Sequence, residues 1–441
     1  TAKLSTTVKG ISVHGEVAAS QDYPNFRPTL DFNFAAQKKL DPRITYTRTG
    51  PASHYTEFGL LKIVGDNAPR FDYDPVTRES KGLLIEESRT NAKTSSQDFS
   101  TGWNISGVLN YRGNNDTSIE TPEGITDSVG VMPLIEVSGG NAHIFYAAST
   151  SQVTKHITYS LFAKPNGRNH IQLHDGPFVH DLVNGTTSGS ATGEYVSATT
   201  TKLSNGWCRC TMTRNHNNSY DQFKIVLHNG SSPAYSGDGS SGVYIWGVQQ
   251  EDGQFATSYI PTNGAALTRG ADLCQITGED FSDFYNQSEG TIVTEHSIAT
   301  GVANGDNTYV YQVDDGSDTN VAFRLIDHNS AHGDVLRAYG FLSGSWNSPL
   351  YGAQESTPNH DSSLKVAVGI KKDDFGVNFF GQGHDFGTGT YTDTSGDINV
   401  DMIQLTLGNH RGGTAPLQGY LKRFLYYPQK LTTNQLKTIT S

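Results

Sequence analysis

The sequence predicts an all-β protein with two antiparallel β-sandwich (jelly-roll) domains preceded by a small, irregular, β-rich N-terminal module. The first observation is composition: of 441 residues, 47 are Gly, 21 Tyr and 20 Phe, and only 17% are charged. Aromatic residues favour strands and Gly favours turns, so this balance is typical of β sandwiches. The second observation is pattern, because short alternating runs are separated by turn clusters and no period of roughly 20–50 residues recurs.

Residues 1–90 form the predicted N-terminal module. Turn-rich stretches dominate it, among them Asp72-Tyr73-Asp74-Pro75, whose Asp and Pro content is typical of a turn. Alternating runs at 44–47 and 83–85 predict brief strands between these turns. We expect the module to pack against or dock onto another part of an assembly.

Longer strands characterise residues 91–275, the first predicted jelly roll. Turn clusters such as SGDGSSG (236–242) separate its alternating runs, as expected for a two-sheet sandwich. Trp207 and Trp246 lie inside such runs, so we predict that both belong to the core. The runs are His156–Lys164, His170–Asp175, Trp207–Thr213, Gln222–His228 and Val243–Val248.

Residues 276–441 repeat this style and form the second predicted jelly roll. Its final segment LTTNQLKTI predicts a short helix that is capped by Thr432 or Thr433 and presents Leu436 and Ile439. The preceding strand-like runs are Gly290–Ala299, Thr308–Asp315, Val321–Asp327, Leu364–Gly383, Met402–His410 and Gly419–Pro428.

Charge and hydropathy exclude two broad classes of function. The formal net charge is -12, and no cluster of Lys and Arg offsets it locally, so we predict no nucleic-acid binding. The sequence has no apolar run of roughly 18 residues and no secretory signal pattern, so we predict no membrane insertion. Cys208, Cys210 and Cys274 cannot form a disulfide framework, and we predict reduced, structural thiols, as suits assembly in a reducing cytoplasm.

Several motifs between residues 69 and 274 occur in a consistent order. They are PRFDYDPVTRESKGLLIEESRTN (69–91), YSLFAKPNGRNHIQL (159–173), LSNGWCRCTMT (203–213) and IWGVQQEDGQFATSYIPT (245–262). This stretch resembles a module that recurs in structural proteins of tailed bacteriophages, especially fibre, spike and head-decoration or appendage proteins. Its sandwich resembles a carbohydrate-binding module, and the resemblance implies that residues 245–274 are its last strand and exit linker.

The last block is similar to a second group of β sandwiches. GTIVTEHS (290–297), KVAVGIKKDDFGVNFFGQG (365–383) and LTLGNHRGGTAPLQGYLKRFLYYPQKLTTNQL (405–436) resemble concanavalin A-like and laminin G-like jelly rolls. That group includes lectins, adhesion modules and glycanases, so the resemblance implies a fold more than an activity.

The strand that would carry catalysis in such a glycanase lacks the required carboxylates. A retaining mechanism needs two carboxyl groups about 5–5.5 Å apart, which two Glu on one face of a strand can supply. The nearest candidate, residues 399–404, has Asn399 and Gln404 in those places around Asp401. We therefore predict that the protein is not an enzyme. The sequence leaves two alternatives open: an inverting pair of carboxylates from separate loops, and a lyase site with Tyr and His.

One loop contains several oxygen ligands of the kind that Ca²⁺ prefers. Asp314, Asp315, Asp318 and Asn320 fall within seven consecutive residues, without the terminal Glu of an EF-hand loop. Asp, Asn and Gly also dominate ordinary turns, so the sequence favours a solvated turn over a structural calcium ion. We predict no cofactor and no metal site.

Glycan binding requires an aromatic face for stacking and a few polar groups for hydroxyls. Such groups lie in Gly-, Ser- and Asn-rich stretches at Trp103, His174, Asp175, Trp346 and Tyr351. These five residues are the predicted glycan-binding residues. For Trp103 and Trp346, burial in the core is an equally good interpretation, since large aromatic side chains are mostly buried.

These observations lead to the hypothesis of a structural virion protein, assembled in the host cytoplasm. We expect a tail fibre, appendage or capsid-decoration component whose partners are other virion proteins and whose sandwiches contact host-surface polysaccharide. A homo-oligomer, by family analogy a trimer, would multiply weak binding. The alternatives are a virion polysaccharide depolymerase and a ligand-free capsid cement protein; a bacterial surface adhesin is a weaker third.

Overall fold

The computed structural model describes most of the chain. The described residues are 23–111, 113–126, 129–140, 142–148, 155–216, 222–298, 306–318, 320–330, 333–340, 363–372, 374–381, 384–391 and 401–441.

Antiparallel strands dominate residues 23–272, with one short helix, α1 (Phe34–Gln37). The strands are β1 (Leu30–Asn33), β2 (Thr45–Thr47), β3 (Ala52–Tyr55), β4 (Leu61–Val64), β5 (Phe71–Tyr73), β6 (Ser80–Ile85), β7 (Arg89–Asn91), β8 (Trp103–Ser106), β9 (Met132–Ile135), β10 (Ser138–Gly139), β11 (Ile144–Ala148), β12 (Lys155–Asn166), β13 (His170–Leu173), β14 (Val179–Asp181), β15 (Thr186–Ser188), β16 (Tyr195–Lys202), β17 (Cys208–His216), β18 (Gln222–His228), β19 (Gly237–Asp238), β20 (Gly242–Asp252) and β21 (Leu267–Arg269).

The described residues after 272 are also built mainly from strands, with helices α2 (Glu279–Ser282) and α3 (Thr433–Thr440). Its strands are β22 (Leu273–Thr277), β23 (Glu289–Ile298), β24 (Asp306–Asp314), β25 (Val321–Ser330), β26 (Gly333–Gly340), β27 (Leu364–Lys371), β28 (Asp374–Gly381), β29 (His384–Tyr391), β30 (Gln404–Leu407) and β31 (Gly419–Tyr427). The predicted all-β, antiparallel sandwich class is therefore confirmed. Within the described residues, no helix is long and apolar enough to cross a membrane.

The chain divides into two compact units. The central unit comprises residues 46–272, and the terminal unit comprises the described residues of 1–45, 273–299 and 304–441. This division differs from the three predicted modules, because residues 46–90 belong to the central unit and the described residues before 46 belong to the terminal one. The later boundary, predicted at 275, lies three residues from the observed division.

The central unit is a sandwich of two antiparallel sheets. One sheet has the strand order β15-β14-β13-β18-β11-β8, and the other has the order β16-β17-β12-β20-β9. Alternate residues of both sheets point inward, so Phe145, Leu161, Cys210 and Ile225 meet in one fully buried core.

A second apolar cluster covers the other face of the five-stranded sheet. Trp207 and Trp246 are fully buried there, together with Phe162 and Leu61. The prediction that both tryptophans are core residues is confirmed. Leu61 belongs to the β3–β4 hairpin, so this hairpin from the stretch 46–90 helps to complete the central core.

A buried charge network connects the first and last parts of the central unit. Arg70 donates to Glu86 and to Asp272, at 2.6 Å in each case, and Arg269 lies 2.8 Å from Glu86. Burial alone would raise the pKa of Glu86, but the guanidinium groups of Arg269 and Arg70 outweigh it and hold that pKa well below its ordinary value. The exit segment is thereby fixed to β5 and β6 by ion pairs.

The terminal unit contains two further antiparallel sheets. Strands β29-β28-β27-β23-β31 form one, with β1 paired to β31, and strands β22-β30-β24-β25-β26 run in that order in the other. Their inner faces meet where Tyr311 of β24 packs edge-on against Phe424 of β31, with ring centroids 5.7 Å apart. This arrangement is a second sandwich.

Helix α3 closes the terminal unit as predicted. The Thr432 hydroxyl accepts from the backbone of Gln435, whose side chain in turn accepts from the Thr432 backbone, which completes a capping box. Leu436 is buried and Ile439 packs against the same apolar cluster. The predicted cap and both predicted apolar contacts are therefore confirmed.

All three cysteines are buried and unpaired with one another, in agreement with the predicted structural thiols. Burial raises the pKa of Cys208 to about 11 and that of Cys210 well above its ordinary value. Neither thiol is therefore activated as a nucleophile at neutral pH.

Candidate functional site

A sharp turn follows β13 in the central unit. His174 has a φ of 60°, in the left-handed region that residues other than Gly seldom adopt. The Gln172 side chain donates to the carbonyl of Gly176 at 3.1 Å and holds the turn closed. A Cβ on Gly176 would stand 2.8 Å from the Tyr195 ring, so only Gly fits there. The turn leaves Asp175 exposed at the surface.

The His174 ring lies between Tyr195 and Arg214. A guanidinium can only donate, so the bond from Arg214 makes Nε2 the acceptor and places the ring proton on Nδ1. Nδ1 lies 3.0 Å from the Tyr195 hydroxyl oxygen and donates to it. Burial, and next the charge of Arg214, lower the pKa of His174 to about 3, so the ring is neutral at neutral pH. The Tyr195 hydroxyl accepts here, so its own proton can be donated elsewhere.

Two ion pairs flank this ring. Asp175 contacts the Lys224 ammonium group, and Arg214 donates to Glu194 at 2.5 Å. The backbone N–H of His174 also donates to the carbonyl of Lys224 at 2.8 Å. The strained His174 therefore fixes the position of Asp175 relative to β18.

Strand alternation places further groups on the surface where Asp175 and Lys224 meet. Trp103, Phe145 and Phe223 point into the core, so the residues that follow them, Asn104, Tyr146 and Lys224, point to the outer face of the six-stranded sheet. Register pairs Tyr146 with Asn104 on one side and with Lys224 on the other.

We name this line of neighbours the Tyr146 row: Asn104, Tyr146, Lys224 and Asp175. Directly opposed residues in an antiparallel pair have Cβ atoms about 4.5–5.5 Å apart, so the row is continuous across β8, β11 and β18. Asn104 and Asp175 are exposed, while Tyr146 and Lys224 are half-buried. The row offers a phenol ring, an amide, an ammonium group and a carboxylate on one face.

This combination of groups suits recognition of a hydroxyl-rich ligand. The face of an aromatic ring packs against apolar C–H surface, and amide and carboxylate groups fix the orientation of hydroxyls. The carboxylates of Asp175 and Glu194 are both held in ion pairs. Proton transfer by either carboxylate would require its ion pair to be broken.

Of the five predicted glycan-binding residues, the structure describes three. His174 and Asp175 lie together in the turn just described. Trp103 is only 4% exposed, and its ring stacks on Phe145 with a centroid distance of 4.5 Å. Its indole belongs to the core and cannot stack on a ligand, which corrects that assignment in favour of the core alternative. Trp346 and Tyr351 lie outside the described residues.

Sequence reasoning missed Tyr146, Lys224 and Asn104. The signal for Tyr146 and Lys224 was present as alternation in IFYAA (144–148) and QFKIVLH (222–228), where each of the two follows a buried Phe. What the pattern lacked was the register that brings the three side chains side by side.

In the terminal unit, the oxygen-rich loop is engaged in hydrogen bonds within the protein. Asp315 accepts from Ser317 and Asn320, and Asp318 accepts from Arg411 and His410. Asp314 is buried and accepts from Gln312 and Gln404. Across the described residues, no three His, Cys, Asp or Glu side chains converge as metal ligands.

The strand considered for catalysis begins only at Gln404, so Asp401 precedes it and Asn399 lies outside the described residues. Gln404 donates its amide to Asp314 at 2.5 Å. Its side chain is therefore engaged in a partly buried hydrogen bond.

Comparison with known proteins finds only distant structural similarities. No protein-family profile and no curated protein matches the chain. Among solved structures, the chain is similar to the carbohydrate-binding module CBM40 of the Ruminococcus gnavus IT-sialidase, in a complex with α2,3 sialyllactose. The two share 18% sequence identity, the match covers 37% of this chain and 88% of that chain, and the TM-score is 0.29.

Two further similarities are weaker. A Trypanosoma rangeli sialidase shares 10% identity over 70% of this chain and 60% of its own, with a TM-score of 0.27. Mouse laminin α1 domains LG4-5 share 9% identity over 67% of this chain and 88% of their own, with a TM-score of 0.19. At these scores no residue role is transferred. The virion hypothesis depends on the sequence motifs alone.

Proposed function

We propose that the protein is a non-enzymatic structural component of a tailed-phage virion whose central sandwich binds host-surface glycan through the Tyr146 row. The observation that carries the glycan part is the row itself, in which a half-exposed tyrosine lies between an amide and an ion pair on adjacent strands.

A binding role is favoured over catalysis by the state of the candidate groups. Asp175 and Glu194 are paired with cations, and His174 is neutral and held between Tyr195 and Arg214. A general acid or base must exchange a proton with substrate near the operating pH, and a histidine with a pKa of about 3 does not.

The virion part of the proposal is supported by the order of the phage-like motifs between residues 69 and 274. Arg70 and Glu86 of the first motif form hydrogen bonds with Ser258 of the last motif, so these two motifs belong to one folded unit. The proposed partners are other virion proteins. Homo-oligomerisation would present several weak glycan sites together and increase avidity.

Glycan binding is tested on an immobilised glycan array with the full chain and its Tyr146→Ala variant. Tyr244→Ala is the matched control, since Tyr244 is also half-exposed but lies on the five-stranded sheet. We expect Tyr146→Ala to weaken binding about tenfold, the factor for about 1.4 kcal/mol, and Tyr244→Ala to retain binding. Thermal unfolding of both variants checks folding. Equal binding by wild type and Tyr146→Ala would contradict the site, and no binding to any glycan would contradict the function.

Location in the virion is tested by electron microscopy of parent particles labelled with an antibody to residues 281–441. Label at fibre tips supports host attachment. Label spread evenly over the capsid lattice would contradict the fibre role and favour a capsid-decoration role. Particles without label would contradict the proposal that the protein is part of the virion.

A further inference from the structure

We infer that the Tyr146 row selects uncharged glycans and disfavours anionic ones, with Asp175 as the specificity-determining residue. This inference rests on the proposed glycan-binding function. It follows from the way charge is distributed on the outer face of the six-stranded sheet.

The cation in the row is already neutralised. Lys224 projects from β18 and contacts Asp175, which the strained turn at His174 holds in place. The Asp175 side chain is 54% exposed, whereas that of Lys224 is 20% exposed. A ligand approaching the row therefore meets the carboxylate before it meets the ammonium group.

Two histidines and a second carboxylate also lie on this face. Burial, and next the neighbouring His170, lower the pKa of His228. His170 lies 3.7 Å from Asp181, whose carboxylate remains ionised because desolvation is outweighed by hydrogen bonds from Asn184 and Val183 that lower its pKa. The described part of the face thus carries one lysine, Lys224, against the carboxylates of Asp175 and Asp181.

The two short segments next to β11 and β18 in the sequence contain no lysine or arginine. These segments are residues 149–154 (STSQVT) and 217–221 (NNSYD). The whole chain carries a formal charge of -12, so the long-range field also opposes an anionic ligand.

An uncharged sugar meets complementary groups here. Its hydroxyls can donate to the accessible oxygens of Asp175 and accept from the Asn104 amide, while its C–H face packs on Tyr146. A sialic acid or uronic acid carboxylate would have to displace Asp175 from Lys224 and would then lie beside an unpaired carboxylate. Like-charge juxtaposition of this kind excludes the wrong ligand.

Asp175→Asn tests this inference, because it keeps the shape of the side chain and frees the charge of Lys224. The same array is probed with matched uncharged and acidic glycans carrying sialic acid, uronic acid or sulfate groups. We expect wild type to bind uncharged glycans, and Asp175→Asn to gain at least about fivefold in signal on acidic ones, with the gain reduced in high salt. Glu57→Gln, an exposed carboxylate in the β3–β4 turn, is the charge-matched control and should show no gain.

The outcomes separate the two proposals. Wild-type binding mainly to acidic glycans would overturn the class selection and leave glycan binding intact. No gain by Asp175→Asn, with folding retained, would overturn the role of Asp175. Binding of no glycan by wild type would mean that the proposed function itself fails.

Discussion

Replacement of Asp272 by Asn is expected to destabilise the central unit more than any exposed carboxylate replacement. Asp272 is fully buried, and its Oδ2 accepts from Arg70 at 2.6 Å and from the backbone N–H of Glu86 at 2.8 Å. Its Oδ1 accepts from Tyr46 and, at 3.4 Å, from Arg48. The substitution removes the negative charge and leaves the buried guanidinium groups of Arg48 and Arg70 with less compensation.

Breaking a buried ion pair on one side typically removes about 3–5 kcal/mol from the free energy of unfolding. That loss is a large share of the total of about 5–15 kcal/mol for a typical domain. The assay is urea unfolding monitored by tryptophan fluorescence, because Trp103, Trp207 and Trp246 all lie in the central unit.

Asp175→Asn is the matched control for this measurement. It is the same chemical change in the same unit, but its ion pair with Lys224 is exposed, so we expect a change of no more than about 1 kcal/mol. A loss of less than about 1 kcal/mol for Asp272→Asn would refute the view that the network holds the exit segment in place.

Three other predictions follow from buried groups. Trp103→Ala should lower the free energy of unfolding by about 3–5 kcal/mol in the same urea assay, because it empties a core site; near wild-type stability with lost glycan binding would contradict the core assignment. Burial lowers the pKa of His180 to about 3, so the folded state resists a proton that the unfolded state accepts below about pH 6.5, and stability falls from there toward pH 3. Between pH 6.5 and 5 this group lowers the free energy of unfolding by about 2 kcal/mol. In parallel urea unfolding curves, the drop in the free energy of unfolding between these two pH values should be smaller for His180→Gln than for wild type by about 2 kcal/mol. A thiol reagent should leave the buried Cys208, Cys210 and Cys274 unmodified in the folded chain and modify all three in urea; rapid modification of folded protein would contradict their burial.

Much of the fold follows from local sequence patterns. Alternation in the runs at 156–164 and 207–213 corresponds to β12 and β17, and the capping signal at Thr432 corresponds to the start of α3. These features depend on residues close in the chain, so the sequence shows them directly.

The features that sequence reasoning missed depend on long-range pairing. Arg70 and Asp272 are 202 positions apart in the chain but form a hydrogen bond in the folded protein. The sequence around Arg70 therefore shows only an irregular stretch, because its partner is distant in the chain. Trp103 lies in a Gly- and Ser-rich stretch that is typical of a loop, yet it opens the four-residue strand β8 and points inward. The Tyr146 row likewise requires the register of three strands, which no local pattern specifies.

The central claim is that the outer face of the six-stranded sheet binds an uncharged glycan. The most direct test is a crystal structure of the full chain with the glycan that gives the strongest array signal. We predict that a sugar ring packs on Tyr146 and that its hydroxyls contact Asn104 and Asp175. A glycan bound to the terminal unit or to the five-stranded sheet, with the Tyr146 row unoccupied, would contradict the account.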